Sequence, residues 1–302
     1  MNRLRPLFDM AGAFAPRVTV GLPVYNSEEF LASSLDSLLA QTYRNFVLVI
    51  SDNASTDATA DICLRYSRID PRVRYFRNDI NIGNPRNFNR VFALTQTPFL
   101  KWSTADDFWA PTFLERAMEV MESQPNVALC YPQAVLVDAS GGNPQDYDDV
   151  LHLVQDDAVS RFIQLLETIK LAHQHLGVIR TSMLRRTHLL GLHIGSDINL
   201  LAELTLYGKF VEIPERLFFR RFHKDSGSWK RGDREHEARR YHASTRQRIR
   251  FATWRAHFRN FAAVSTSPLD VGSKARLYNY LLKRAVTDRH HLISDLRHEI
   301  AG

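Results

Sequence analysis

The chain has 302 residues, 44% of them hydrophobic and 24% charged, a composition that supports one folded α/β domain of about 200–230 residues with a smaller appendage. It excludes a disordered chain, a collagen-like chain and a disulfide scaffold, because Cys63 and Cys130 are the only cysteines. The net charge of +6 is uneven: residues 216–259 hold fourteen Lys/Arg against four Asp/Glu, a balance of +10 that leaves −4 elsewhere.

The first 16 residues are broken by Asp9 and Pro16, and no window reaches the roughly 18–20 apolar residues that span a bilayer. The expectation is a cytoplasmic protein whose two thiols are reduced and act as small buried hydrophobes. Residues 18–26, VTVGLPVYN, alternate β-branched residues and then run into Gly21, Pro23 and Asn26, which predicts a strand entering a loop. Ser27 is the expected N-cap of a helix that carries Phe30, Leu31, Leu35, Leu38 and Leu39 and ends near Gln41.

The apolar run from Phe46 to Ile50 predicts a buried strand that stops at Ser51-Asp52-Asn53, with a second helix from Thr56-Asp57 to Ser67. A short strand at 73–76, a helix at 86–94 and a strand at 98–103 follow, the last ending in Thr104-Ala105-Asp106-Asp107. Next come a helix at 111–121, an apolar stretch at 127–137, a polar segment at 141–150 read as a mobile loop, and a helix near 158–171. A helix over 195–208 is closed by Gly208, and a strand at 209–213 leads through residues 217–229 into the basic tail. Strands and helices alternating in units of about 30 residues indicate a wound, mostly parallel sheet flanked by helices.

In such sheets ligands sit beyond the carboxyl ends of the strands. That rule gathers residues 23–26, 52–57 and 104–107 onto one edge. Asp52 emerges from a buried strand, where its carboxylate would accept a base N–H while Tyr25 offers a ring face; the plain alternative is that Asp52 caps the next helix. Asp106 and Asp107 would repel unless a cation or a helix N-terminus stabilised them. A hard divalent cation bridging to a diphosphate is one reading, and a simple turn is the other. His223 follows Arg220 and Arg221 and precedes Lys224, a composition suited to a diphosphate or a metal, or to a solvated basic loop.

Together the segments VTVGLPVYNSEEFLASSLDSLLAQTY, FVLVISDNASTDATADI, NIGNPRNFNRVFAL, FLKWSTADDFWAP and GSDINLLAELTLYGKFVEIPERLFFRRFH resemble glycosyltransferase family 2, over residues 17–229. The resemblance implies the GT-A fold, with residues 1–16 as an N-terminal extension and 230–302 as a mainly helical, basic C-terminal one. It implies that Pro23, Tyr25 and Glu28 border the nucleotide, that Asp52 and Asn53 contact the base, and that Thr104 and Asp106 stand in an Asp-x-Asp site. By the same resemblance Asp106 and His223 bind Mg²⁺ or Mn²⁺, Asp107 and Arg221 face the donor sugar or diphosphate, and Asp197 is the general base of an inverting hexosyltransferase. Thr104 departs from the family pattern by removing a carboxylate near the metal.

The implied donor is a UDP, GDP or dTDP sugar. The implied acceptor is a glycan, lipid-linked or small-molecule, in bacterial-type polysaccharide, glycolipid or glycoside synthesis. In the basic tail Phe251, Trp254, Phe258 and Phe261 share one helical face, which either packs on the catalytic domain or rests peripherally on the inner face of the membrane. No nucleic-acid reader motif accompanies the charge. A nicotinamide oxidoreductase would need Gly-x-Gly-x-x-Gly where residues 21–26 supply one glycine. A non-catalytic nucleotide-sugar-binding protein is the remaining rival, which the carboxylates and His223 argue against.

Overall fold

The computed structural model describes residues 15–147, 150–223 and 251–300. The N-terminal extension before residue 15, the segment around Trp229 and most of the basic run after it lie outside the described residues.

β1 (Val18–Val24) and β2 (Phe46–Asp52) are buried at every position, because both faces of a parallel sheet are covered by helices and a continuous apolar run fits such a strand. β1 pairs in parallel with β2 and with β4 (Phe99–Trp102), and β2 pairs with β3 (Val73–Arg77). Gly21 lies inside β1 rather than at its end; a Cβ there would come within 2.1 Å of Val91 Cγ1, so the missing side chain lets α3 (Asn84–Ala93) pack close. The helices α1 (Leu31–Leu39) and α2 (Thr59–Ile69) join these strands.

Beyond β4 the sheet becomes mixed. β8 (Val178–Arg180) pairs antiparallel with β4 and with β6 (Val127–Val137), which runs parallel to β9 (Lys209–Arg221). β5 (Phe108–Trp109) closes the edge against β9, giving the order β3-β2-β1-β4-β8-β6-β9-β5. α4 (Phe113–Ser123), α5 (Ala158–Thr168), the one-turn α6 (Thr181–Leu184) and α7 (Ser196–Thr205) complete the wound α/β domain. The helical C-terminal region is α8 (Ala252–Thr266), α9 (Val271–Thr287) and α10 (Arg289–Ile300).

Several sequence expectations change. Ser27 is not an N-cap: α1 starts at Leu31, and Ser27 only lends its carbonyl to the Leu31 N–H while Thr59 Oγ1 accepts the Ser27 N–H. α2 starts at Thr59, since Asp57 Oδ1 accepts the Thr59 N–H and ends the loop there. Residues 141–147 of the segment read as a mobile loop belong to a hairpin in which β7 (Gln145–Tyr147) pairs with β6. Asp138 organises its turn by accepting from Ser140 N, Gly142 N and Asn143 Nδ2.

β9 runs eight residues past the expected stop, to Arg221. Pro214 sits where its register with β6 shifts, between Ile213 opposite Pro132 and Arg216 opposite Gln133, the kind of bulge at which a missing N–H is tolerated. Cys63 and Cys130 are buried and unbridged, and burial pushes both thiols up to about 12. Trp254 and Phe261 pack inward, with Trp254 Nε1 donating to Leu292 O and Phe261 stacked on Tyr278, whereas Phe258 stays 63% exposed. The aromatic face is therefore mostly packed.

Candidate functional site

The carboxyl ends of β1, β2 and β4 open onto a cleft of about 680 Å³, which β9 and the start of α7 enclose from the other side. Of the residues singled out from the sequence, Pro23, Tyr25, Asn53, Thr104, Asp106, Asp107, Asp197, Arg221 and His223 line it, and Asp52 and Glu28 do not.

Asp52 is fully buried. Its Oδ1 accepts the Ser55 N–H at 2.9 Å, and its Oδ2 accepts from Tyr75 Oη at 2.7 Å and Arg77 NH1 at 2.8 Å. A carboxylate so committed shapes the turn after β2. Glu28 clamps the neighbouring loop, its Oε2 accepting the Ala58 N–H while its own N–H donates to Asp57 Oδ2. Both placements share one cause: the orphan N–H groups at the start of α2 and in its approach loop need acceptors, and these carboxylates supply them.

Asn53 does face the cleft. Its Oδ1 accepts from Asn78 Nδ2 and from the Ile82 N–H, and its Nδ2 donates to Asn81 Oδ1. Asn87 continues the network to Ser51. Asn81, Asn84 and Asn87 all line the cleft beside Tyr25, which is 45% exposed. These asparagines were missed as site residues, yet a signal existed: Asn recurs every third position at 78, 81, 84 and 87.

At the end of β4, Thr104 Oγ1 donates to Asp107 Oδ2 at 2.5 Å, and the Arg221 N–H donates to Asp107 Oδ1 at 2.8 Å. Asp107 is 4% exposed; burial, with the Asp106 charge next to it, raises its carboxyl to about 7. Arg221 is also buried, NH1 donating to Asp106 O while its guanidinium faces the rings of Phe30 and Phe108. Asp107 and Arg221 thus brace the turn. Beneath it lies Lys101, fully buried, its Nζ over the Trp109 ring at 3.5 Å and donating to Trp102 O; burial depresses its pKa and the Asp107 charge opposes that. A lysine inside the apolar strand FLKW is its only sequence mark.

Asp106 presents its carboxylate to the cleft, 3.2 Å from His223 Nε2. A carboxylate oxygen and an imidazole nitrogen are a fitting pair for a divalent cation whose remaining positions diphosphate oxygens fill. Among the described residues no cluster of three or more His, Cys, Asp or Glu is placed to hold a metal. Gly195 takes φ +79 as the cap that precedes α7, and Asp197, which also lines the cleft, stands in the first turn with Oδ1 accepting the Ile198 N–H at 2.9 Å. His175 lies near Asp197; Nδ1 donates to Ala172 O at 2.6 Å, and burial lowers its pKa against the pull of the Asp197 charge.

Comparison with known proteins identifies the fold and the family. An inferred teichuronic acid biosynthesis glycosyltransferase of Bacillus subtilis (strain 168), TuaG, is 28% identical over 174 residues, 56% of this chain and 68% of that protein. Further curated relatives are matched over less than half of their own length. S. aureus TarS 1-349 in complex with UDP-GlcNAc superimposes with a TM-score of 0.67 at 16% identity, over 90% of this chain and 73% of that one. The mannosyltransferase PcManGT of Pyrobaculum calidifontis, solved with GDP-Man and Mn²⁺, gives 0.51 at 17% identity, over 94% and 85%. At such identities these two establish a shared fold, the GT-A architecture. The family model for glycosyl transferase family 2 matches residues 19–189, more than half of the chain, and the chain belongs to that family.

Proposed function

We propose that this glycosyltransferase moves a sugar from a nucleoside-diphosphate donor to an acceptor hydroxyl with inversion, and that Asp197 is its general base. The observation that carries the reading is one cleft lined by the Asp106–His223 pair and by Asp197, residues from three distant segments of the chain. In-line displacement needs base and leaving group on opposite faces of the anomeric carbon.

Asp197 takes the proton of the acceptor hydroxyl as its oxygen bonds to the anomeric carbon, while the bond from that carbon to the diphosphate oxygen breaks. Asp106 and His223 would hold Mg²⁺ or Mn²⁺, which when bound neutralises charge on the departing diphosphate. Tyr25 and the asparagines around Asn53 suit a nucleoside, through a ring face and paired amide donors and acceptors. The structural neighbours support a donor of the UDP or GDP class: TarS is solved with UDP-GlcNAc and PcManGT with GDP-Man. TuaG, named for teichuronic acid biosynthesis, supports a glycan acceptor.

Asp197→Asn tests the assignment. Transfer, followed as nucleoside-diphosphate release from a donor panel with Mn²⁺, should fall by about 10²–10⁴-fold, the usual worth of a general base. Nucleotide binding by calorimetry should stay within about twofold. Retained turnover removes Asp197 from the mechanism, and a wild-type chain that binds donors without releasing product would be a binding protein instead.

Among the described residues no helix is long and apolar enough to cross a membrane. A peripheral seat at the cytoplasmic face of the membrane is part of the proposal. It is supported by Leu282, Val286, Ile293 and Leu296, each more than 40% exposed, beside the exposed Lys283, Arg289 and Arg297 on α9 and α10.

A further inference from the structure

The segment that carries Asp197 is tied to the C-terminal helices by buried polar groups. Residues 188–195 lead from α6 to α7 through Leu189 at φ +58 and Gly195 at φ +79. Arg259 of α8 donates through NH2 to the carbonyls of His188 and Leu189, the latter at 3.0 Å. Two residues after Asp197, Asn199 is 3% exposed and points the other way, toward α8. Its Nδ2 donates to Ala256 O at 3.0 Å and to Asn260 Oδ1 at 2.7 Å, and its Oδ1 accepts from His193 Nε2 at 2.8 Å.

The tautomer follows from the network. The Ala256 carbonyl can only accept, so the Asn199 nitrogen faces α8, its oxygen faces His193, and His193 Nε2 must carry a proton. Burial lowers the His193 pKa, with the Arg259 and Arg255 charges acting in the same direction and the Asn199 bond and the Asp197 charge opposing. α8 is fixed in turn, since the Thr253 N–H donates to Asp295 Oδ2 and Trp254 Nε1 donates to Leu292 O, while Ala263 and Val264 enter the main core. No α8 residue lines the cleft.

We infer that α8 is a positioning element for the general base: Asn260, acting through Asn199 and His193, holds the first turn of α7 and thereby sets the Asp197 carboxylate at the acceptor hydroxyl. The inference rests on the reading of Asp197 given above. Its consequence is that the C-terminal helices are required for turnover although none of their atoms meets the substrate. A base misplaced by about 1 Å loses on the order of 10²-fold in rate, whereas the nucleotide end of the cleft, built on β1, β2 and β4, is untouched.

The test uses the full chain and three variants: Asn260→Leu, which removes the acceptor oxygen; Asn260→Asp, which keeps it; and Asp197→Asn. The probe is UDP-GlcNAc, or GDP-mannose if that donor is turned over, with Mn²⁺, and rates are expressed per nucleotide-binding site. Asn260→Leu should lower kcat about 10–100-fold with donor KM within about twofold, and Asn260→Asp should recover most of the loss. If Asn260→Leu lowers the melting temperature but keeps the wild-type kcat per site, the contact is only structural and the inference falls while the base assignment stands. If Asp197→Asn stays active, the base assignment falls and the inference falls with it. Where Asn260→Leu yields no folded protein, Asn260→Ser, whose hydroxyl is too short to reach Asn199, is read by the same criterion.

Discussion

Thr104 is where the chain departs from the family's acidic pattern, and Thr104→Val tests what the residue does instead. Valine keeps the shape and removes one hydroxyl. The Asp107 Oδ2 that accepts this hydroxyl is in a side chain only 4% exposed, and its other oxygen is held by the Arg221 N–H, so water cannot readily replace the donor. Leaving a buried charged acceptor unpaired costs about 1.5–3 kcal/mol, which for a chain of this size lowers the melting temperature by roughly 3–6 °C. The deficit carries a pH signature. Burial raises the Asp107 carboxyl from 3.8 to about 7; below pH 7 it is neutral, and an unpaired neutral carboxyl costs less than an unpaired carboxylate, so the loss should be smaller at pH 5.5 than at pH 8. Thermal and urea unfolding of the metal-free protein at both pH values measure it, and Thr104→Ser, which keeps the hydroxyl, should lie close to wild type. A Thr104→Val midpoint within about 1 °C of wild type at pH 8 would falsify the view that Thr104 stabilises the buried carboxylate.

Burial, helped by the Arg220 and His175 charges, lowers the His173 pKa from 6.5 to about 3. The unfolded chain therefore takes up a proton as pH drops through 6.5 while the folded one resists until about 3, so this stability is fully present above 6.5 and declines below it, by up to about 4–5 kcal/mol. His173→Phe, placed among the rings of Tyr131, Tyr147 and Phe218, should shift the acid-unfolding midpoint to lower pH; an unchanged profile removes His173 as a source of acid lability. Vesicle sedimentation checks the peripheral seat. The chain should bind phosphatidylglycerol vesicles at low salt, release them as salt screens the attraction, and weaken about fivefold for each of Lys283→Gln and Arg297→Gln. Absence of binding at low salt refutes it.

The sequence by itself determined the parallel half of the sheet and the place of the cleft. β1, β2 and β4 are read directly because a strand covered on both faces is mostly apolar, as in Phe46-Val-Leu-Val-Ile. The residues that follow such strands are then forced to the sheet's carboxyl edge, which is why Pro23, Tyr25, Asn53 and Asp106 were legible. Only the tertiary structure decided which way the carboxylates turn and what comes back to meet them. Asp52 and Asp106 look alike in sequence, yet Asp52 is captured by Tyr75 and Arg77 while Asp106 faces His223. Those partners lie 23, 25 and 117 residues away. Neither local propensity nor periodicity carries such pairings, because they exist only once the sheet has closed. The same holds for β9, whose bulged pairing with β6 delivers Arg221 and His223 to the cleft, and for α8, whose hold on Asn199 spans 57–61 residues and forms only when the C-terminal helices dock.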